Sequence, residues 1–244
     1  MILTCASAGE AVGAAADCLA EAVASQPDLV LGLPTGRTMI PLYAELAQRY
    51  RSARLDLSCA RAFNLDEILL PPAHPASFAR YMEEHAWERI GLVRAKCEIP
   101  RSGGNPAAEC RRYEATLEEA GGLDLAILGL GEDGHVAYNL PGPPHEETHV
   151  VEVPGHVADQ LAIPASDRPL RAITLGFGAL RRARQLLLLA TGAAKARAIR
   201  ALRESPETET WPCTLLRRHP RLTVIVDGEA GGAEGRGRSE RLES

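Results

Sequence analysis

Three stretches of this chain place acids, hydroxyls, glycines or a histidine directly after apolar runs, where a strand would deliver them to one rim of a sheet. The densest is "LGLGEDGHVAYNLPG", residues 128–142. Asp133 and His135 are separated by one glycine, so their side chains converge only if the loop folds back sharply. Gly131 and Gly134 permit that fold. A carboxylate beside an imidazole orients the ring and makes it more basic, which is how a histidine becomes a proton shuttle near neutrality. The plainer alternative is a surface histidine in a glycine loop.

The second stretch, "FNLDEILLPPAHPASF" at residues 63–78, ends an apolar run in Asp66 and Glu67. Paired acids there read either as a base and its helper or as a solvated turn. The third, "LGLPTGRTMIP" at residues 31–41, is a glycine turn that opens a helix. Free N–H groups and the positive end of a helix dipole suit phosphate. Thr35 and Thr38 add hydroxyls, Gly36 the turn and Arg37 a charge; an ordinary glycine turn with a helix cap is the competing account. Because no G-K-[ST] follows, nucleoside triphosphate chemistry is not implied. Acid, base and anion-binding character at three strand ends favours a site over coincidence.

A fourth motif, "HEETH" at residues 145–149, matches the H-E-x-x-H zinc pattern. That pattern works only on a helix, with both histidines on one face. Pro143 and Pro144 precede it and the β-branched "VVEVP" follows, so a helix, and with it a metal site, is not expected.

The elements that must position these residues alternate along the chain. "DLVLGL" is a short strand followed by a helical pattern through Tyr50, and "RAFNL" is another strand. Asn105-Pro106 starts a helix, as N-cap and first-turn proline, that runs to Gly121. "LDLAILGL" is almost wholly apolar, as a strand covered on both faces should be. "RAITLGFG", "QLLLLAT" and "LTVIVD" repeat the type, with helices over "GALRRA" and "GAAKARAIRALRE" between them. This order predicts an α/β fold, a three-layer α/β/α Rossmann-like domain with a mostly parallel sheet. Ligands then bind beyond the carboxyl ends of the strands.

The chain has 244 residues, 45% of them hydrophobic, enough for one sizeable core. No linker divides residues 1–227, which reads as one domain, and "GEAGGAEGRGRSERLES" after Asp227 has too little apolar content to be expected to order. A net charge of -5 argues against nucleic acid or a membrane surface as partner. Six scattered cysteines with no C-x-x-C pair fit reduced thiols in the cytoplasm. The N-terminal stretch lacks a signal peptide's basic start and is broken by Asp17 and Glu21, so it is expected neither to be exported nor to span a membrane.

Taken together, these loops resemble the glucosamine-6-phosphate deaminase family, which shares its fold with the 6-phosphogluconolactonases. The likeness covers nearly the whole chain to Asp227. It rests on "LGLPTGRT", "FNLDEILLPPAHPASF", "LGLGEDGHVAYNLPG", "ITLGFGAL", "ATGAAKARAI" and "LLRRHPRLTVIVD". It implies an enzyme that converts an amino-sugar 6-phosphate to a ketose phosphate and ammonia. Asp66 would carry the proton between C2 and C1, and His135 would open the sugar ring with Asp133 orienting it. Lys195, in "GAAK", would hold the phosphate together with residues 35–38. No metal or organic cofactor is implied; the partner is a small sugar phosphate, and self-association is left open.

Two departures stand out. Deaminases of this family usually carry a glutamate directly after the asparagine of the histidine loop, and here Leu140 follows Asn139. They also carry a phosphate-binding arginine in the segment after that loop, and none lies between Val150 and Asp167, leaving Arg37, Arg168 or Arg171 to substitute. The apolar-Pro-Gly end of the histidine loop is lactonase-like, whereas Ile68 stands where lactonases carry an arginine. Deaminase or isomerase is the preferred reading. A lactonase-like hydrolase and a catalytically weakened sugar-phosphate binding protein are the alternatives.

Overall fold

The computed structural model describes residues 1–232 and 239–240. In chain order the elements are β1 (Ile2–Cys5), α1 (Ala8–Ser25), β2 (Val30–Leu33), α2 (Met39–Arg51), β3 (Arg61–Asn64), β4 (Asp66–Ile68) and α3 (Phe78–His85). Then follow β5 (Cys97–Glu98), α4 (Pro106–Glu119), β6 (Leu125–Leu128), β7 (His149–Glu152), α5 (Gly155–Gln160), β8 (Arg171–Thr174) and α6 (Phe177–Arg182). The chain closes with β9 (Gln185–Ala190), α7 (Ala196–Glu204), β10 (Leu222–Asp227), α8 (Gly228–Gly231) and β11 (Ser239–Glu240).

Eight strands form one sheet in the order β11-β1-β10-β9-β6-β2-β3-β5. All neighbours pair in parallel except the edge strand β11, which runs antiparallel to β1. The apolar strands are explained by their two covered faces. Leu125 and Ile127 of β6 pack with Leu31, Leu33, Leu187 and Leu189 against α1 and α2. Ala126 and Leu128 point the other way, with Leu186, Leu188 and Val224, against Tyr113 and Leu117 of α4 and the buried residues of α6 and α7. Each strand supplies a layer to both cores, so neither face tolerates charge.

Chain order reverses between β2 and β6. From β2 the chain steps to β3 on one side; after β6 it steps through β9 and β10 on the other. Loops leaving two adjacent strands in opposite directions open a crevice at their carboxyl ends. The loop after β2 carries residues 35–38 and the loop after β6 carries residues 129–139.

"RAITLGFG" departs from expectation. Its strand, β8, does not join the parallel sheet but lies between β4 and β7 in a separate antiparallel sheet. The cause is a change of direction at Leu65, whose N–H donates to Leu33 O at 3.1 Å while its carbonyl accepts from Leu175 N at 2.8 Å. The chain thus leaves the large sheet at Asn64 and enters the small one at Asp66. A third apolar cluster, including Ile68, Leu70, Leu170 and Ala172, covers the small sheet.

The segment after Asp227 needs correction as well. Residues 228–231 are helical, because the Asp227 carboxylate accepts from Ala230 N at 2.9 Å and Ala230 is buried. Ser239 and Glu240 pair with β1. The remaining residues expected to be disordered, 233–238 and 241–244, lie outside the described residues.

Asp227 also accepts from Gly192 N with both oxygens at 3.0 Å, so one carboxylate holds α8 and the turn that carries Lys195. Truncation, Asp227→Ala, leaves both N–H groups without their acceptor and should cost about 1–3 kcal/mol of stability. A fall in the urea midpoint checks this; an unchanged midpoint would mean that the carboxylate does not hold the turn.

Candidate active site

Asp66 opens β4 at 5% exposure, and its Oδ1 is buried without a hydrogen-bond partner. A lone buried carboxylate is costly in its charged form. Burial, with the charge of neighbouring Glu67 adding to it, raises the Asp66 pKa from 3.8 to about 8.

Glu67 has a different surrounding. Its oxygens accept from Ile68 N, Phe78 N and Ala79 N, each at 2.8 Å, with Ser77 Oγ at 3.5 Å. It therefore holds the first turn of α3 by its free N–H groups. Burial still raises its pKa to about 7, against the pull of those donors. The sequence offers Glu67 as a helper in proton transfer. Its bonding makes it a structural acid that acts on Asp66 through its charge.

The histidine loop folds back as its glycines allow. Gly131 N donates to His135 O at 2.8 Å and Gly134, at φ +84°, donates to Gly131 O at 3.1 Å. His135 Nδ1 then meets Asp133 Oδ1 at 2.6 Å, and the same oxygen accepts from His135 N at 3.1 Å. A side chain on Gly131 would collide with this pair. Burial raises the Asp133 pKa and the bond from His135 lowers it, with the balance downward. The loop is fastened from behind: Asn139 Nδ2 donates to Leu175 O at 2.8 Å, and Tyr138 N to Thr174 Oγ1 at 3.1 Å. Thr174 is paired with Asp66 across β4 and β8, so the acid and the histidine loop share one anchor.

Residues 35–38 turn into α2, with Gly36 at φ +114°. Thr38 makes no side-chain bond to the helix it caps, and Thr35 and Thr38 are half-buried while Gly36 and Arg37 are exposed. The turn is held by Tyr81 Oη donating to Gly36 O at 2.8 Å and Tyr43 Oη to Pro34 O at 2.6 Å. Lys195, half-buried after β9, has its pKa lowered by burial; Glu132 and Asp133 pull it up, and Arg37 pushes it down. These interactions place the turn, the lysine and the histidine loop around one cleft.

Of the arginines considered, Arg168 is committed elsewhere. It pairs with Asp159 at 2.7 Å and donates to Ile163 O at 2.8 and 3.1 Å. Arg171 is exposed at the start of β8, opposite Glu152. Arg37 is the one beside Lys195. "HEETH" is not helical. The carbonyls of His145 and Glu146 accept from Phe177 N and Gly178 N at 2.8 and 2.9 Å, and Glu146 pairs with Arg181 at 2.6 Å. The helical face that a zinc site of this pattern needs does not form, and among the described residues no cluster suits a metal ion.

Two side chains went unnoticed in the sequence. Tyr138 stacks on His135 at 6.2 Å with the planes 9° apart and on Phe78 at 6.0 Å. Asn64, at the end of β3, has both amide heteroatoms buried and unpartnered. Each is a polar residue within an apolar-looking run, and only its loop's neighbours could have flagged it. Leu140 packs with the apolar cluster of the small sheet, beside Tyr138, and brings no polar atom to the loop.

A cleft at a reversal of strand order, able to hold an anion at one end and move protons at the other, defines an α/β enzyme acting on a small anionic molecule. The chain belongs to the family of glucosamine-6-phosphate isomerases/6-phosphogluconolactonase, whose model matches residues 5–225. It is 39% identical over 222 residues to a glucosamine-6-phosphate deaminase of Geobacillus sp. (strain WCH70), covering 88% of each chain. To that of Bacillus velezensis it is 35% identical, covering 96% of this chain and 99% of the relative. Among solved structures, a monomeric glucosamine-6-phosphate deaminase superposes with a TM-score of 0.88 at 32% identity, covering 94% of this chain and 98% of that one. A 6-phosphogluconolactonase from Trypanosoma brucei shares the fold, at a TM-score of 0.76 and 19% identity over 96% and 98% of the two chains.

The raised pKa of Asp66 has a consequence for stability. The folded state binds this proton more tightly than the unfolded chain does, so the stability it contributes is present below about pH 4 and is lost as pH rises toward about 8. In Asp66→Asn that loss is absent. Above pH 8 the variant should be more stable than the parent, because it has no carboxylate to ionise in a buried place. The gap should close as pH falls toward 4. Denaturation curves across this window check it, and a gap independent of pH would mean that Asp66 is ionised throughout.

Proposed function

We propose that this chain deaminates glucosamine 6-phosphate, yielding a ketose 6-phosphate and ammonia. The observation that carries the reading is Asp66: a buried carboxylate with an unpartnered oxygen, joined through Tyr138 to the Asp133–His135 pair. A carboxylate of raised basicity suits removal of a proton from carbon. Identities of 35–40% to deaminases over most of the chain support the same choice.

Lys195, Arg37 and the amides of residues 35–38 hold the phosphate. His135, oriented by Asp133, moves the proton between the C1 hydroxyl and the ring oxygen, opening the sugar to its aldehyde. Asp66 takes the C2 proton; the C–H electron pair becomes the C1=C2 bond, and the carbonyl pair moves to O1, which takes up a proton. Asp66 returns its proton to C1, the nitrogen lone pair forms a C2 iminium, water adds there, and ammonia leaves. The sum is amino-sugar phosphate plus water giving ketose phosphate plus ammonia.

Among the described residues no helix is long and apolar enough to cross a membrane. The six free cysteines suit a reducing, cytoplasmic place of action. A lactonase needs no base for a carbon-bound proton, and Asp66 would then have no step to perform.

The test is ammonia release from glucosamine 6-phosphate, with exchange of the C2 hydrogen followed in deuterated water. Asp66→Asn should bind the sugar phosphate and lose the exchange. Because Asp66 must be ionised in the free enzyme, kcat/KM should rise with pH toward about 8. Lys195→Ala should weaken binding by about 1.5–3 kcal/mol, the worth of a charged hydrogen bond. Hydrolysis of 6-phosphogluconolactone without ammonia release from the amino sugar would overturn the proposal.

A further inference from the structure

Three tyrosines lie within electrostatic reach of Asp66: Tyr43, Tyr113 and Tyr138. Two have fixed duties. Tyr43 Oη donates to Pro34 O at 2.6 Å, and Tyr113 Oη to Asn64 O at 2.7 Å, each tying a helix to the end of a strand. Tyr138 differs, because among the described residues no hydrogen bond engages its hydroxyl. The side chain is 9% exposed and its hydroxyl remains open to solvent, free to meet a ligand.

Its placement is nevertheless tightly set. His135 stacks on the ring with planes 9° apart, Phe78 stacks with planes 20° apart, and the backbone is bonded to Thr174, the cross-strand partner of Asp66. The ring is thus held by two stacks and a backbone bond, against the imidazole and within the field of the carboxylate. Leu140, two residues further along, packs in the same apolar cluster and offers no polar atom.

We propose that Tyr138 is a further catalytic residue, its hydroxyl donating a hydrogen bond to the substrate's C1 oxygen while negative charge builds there. This role rests on the deaminase reading above. When Asp66 removes the C2 proton, the carbonyl electron pair arrives on O1, and a fixed neutral donor is worth most at that point. The phenol keeps its own proton throughout: burial and then the charge of Asp66 raise its pKa. It polarises the carbonyl and transfers nothing.

The test is Tyr138→Phe, which keeps both stacks and removes one oxygen. Retained circular dichroism and melting temperature establish that the fold survives. We expect kcat to fall by about 100-fold, the usual effect of removing one such donor, with KM close to the parent value. C2 hydrogen exchange should slow in parallel, while anomer interconversion at His135 keeps its rate. Unchanged kcat and exchange would overturn the role and leave the ring as a stacking support. A loss confined to anomer interconversion would also overturn it, moving the hydroxyl's action to ring opening. If the parent protein shows neither ammonia release nor exchange, the deaminase reading fails first and this role with it.

Discussion

Glu67 accepts from three backbone N–H groups, one on its own strand and two at the start of α3. Those bonds fix the helix against the point where the chain passes from the large sheet to the small one. From α3, Tyr81 reaches the turn at Gly36, and Phe78 stacks on Tyr138, which in turn stacks on His135. One buried carboxylate thus ties together the glycine turn proposed to hold phosphate and the histidine loop proposed to move protons. Its charge has a second effect. Asp66, one residue earlier, is pushed further toward its protonated form, gaining affinity for a carbon-bound proton at the expense of stability.

That arrangement bears on the two activities found within this fold. An anion-binding turn and an acid–imidazole pair would serve either, so neither feature separates them. The difference lies in what stands at Asp66. A buried carboxylate with a free oxygen, a phenol within its field and, among the described residues, no cation acting on it is suited to taking a proton from carbon. Leu140 does not change this. Its place in the apolar cluster of the small sheet removes a polar contact from the histidine loop and leaves the Asp66 end intact. A glutamate in that packing would have to displace apolar neighbours or find a donor among them.

The layers of the fold were legible because β2, β6, β9 and β10 carry apolar residues on both faces, a pattern that only doubly covered parallel strands need. The rim was legible for the same reason, since glycines, acids and a histidine appear where those runs stop. The small sheet was not. The apolar residues of β8 look like those of a parallel strand, and its antiparallel pairing depends on three residues of β4 far away in the chain. Nor could "DE" say which acid is bonded and which is free. That is decided by the N–H groups of residues 78 and 79, which meet Glu67 only after the chain has turned through three prolines. Tyr138 was hidden because a tyrosine after "GHVA" reads as filler until its hydroxyl is seen to have no partner. Lys195 could be singled out by resemblance alone, since nothing in "GAAK" marks it as facing a cleft.

The chain carries a net charge of -5, yet the proposed substrate is an anion. The conflict is resolved locally. Lys195 is half-buried, with Arg37 opposing its charge and Glu132 and Asp133 supporting it. A phosphate entering beside Lys195 and Arg37 relieves the repulsion between the two cations, a gain available only when an anion arrives. Asp133 belongs to both ends of the cleft, because it bonds His135 and also lies within the field of Lys195. Its charge cannot change at one end without being felt at the other. In the proposed reaction, an anion bound at Lys195 would therefore alter the electrostatic surroundings of the carboxylate that orients the imidazole.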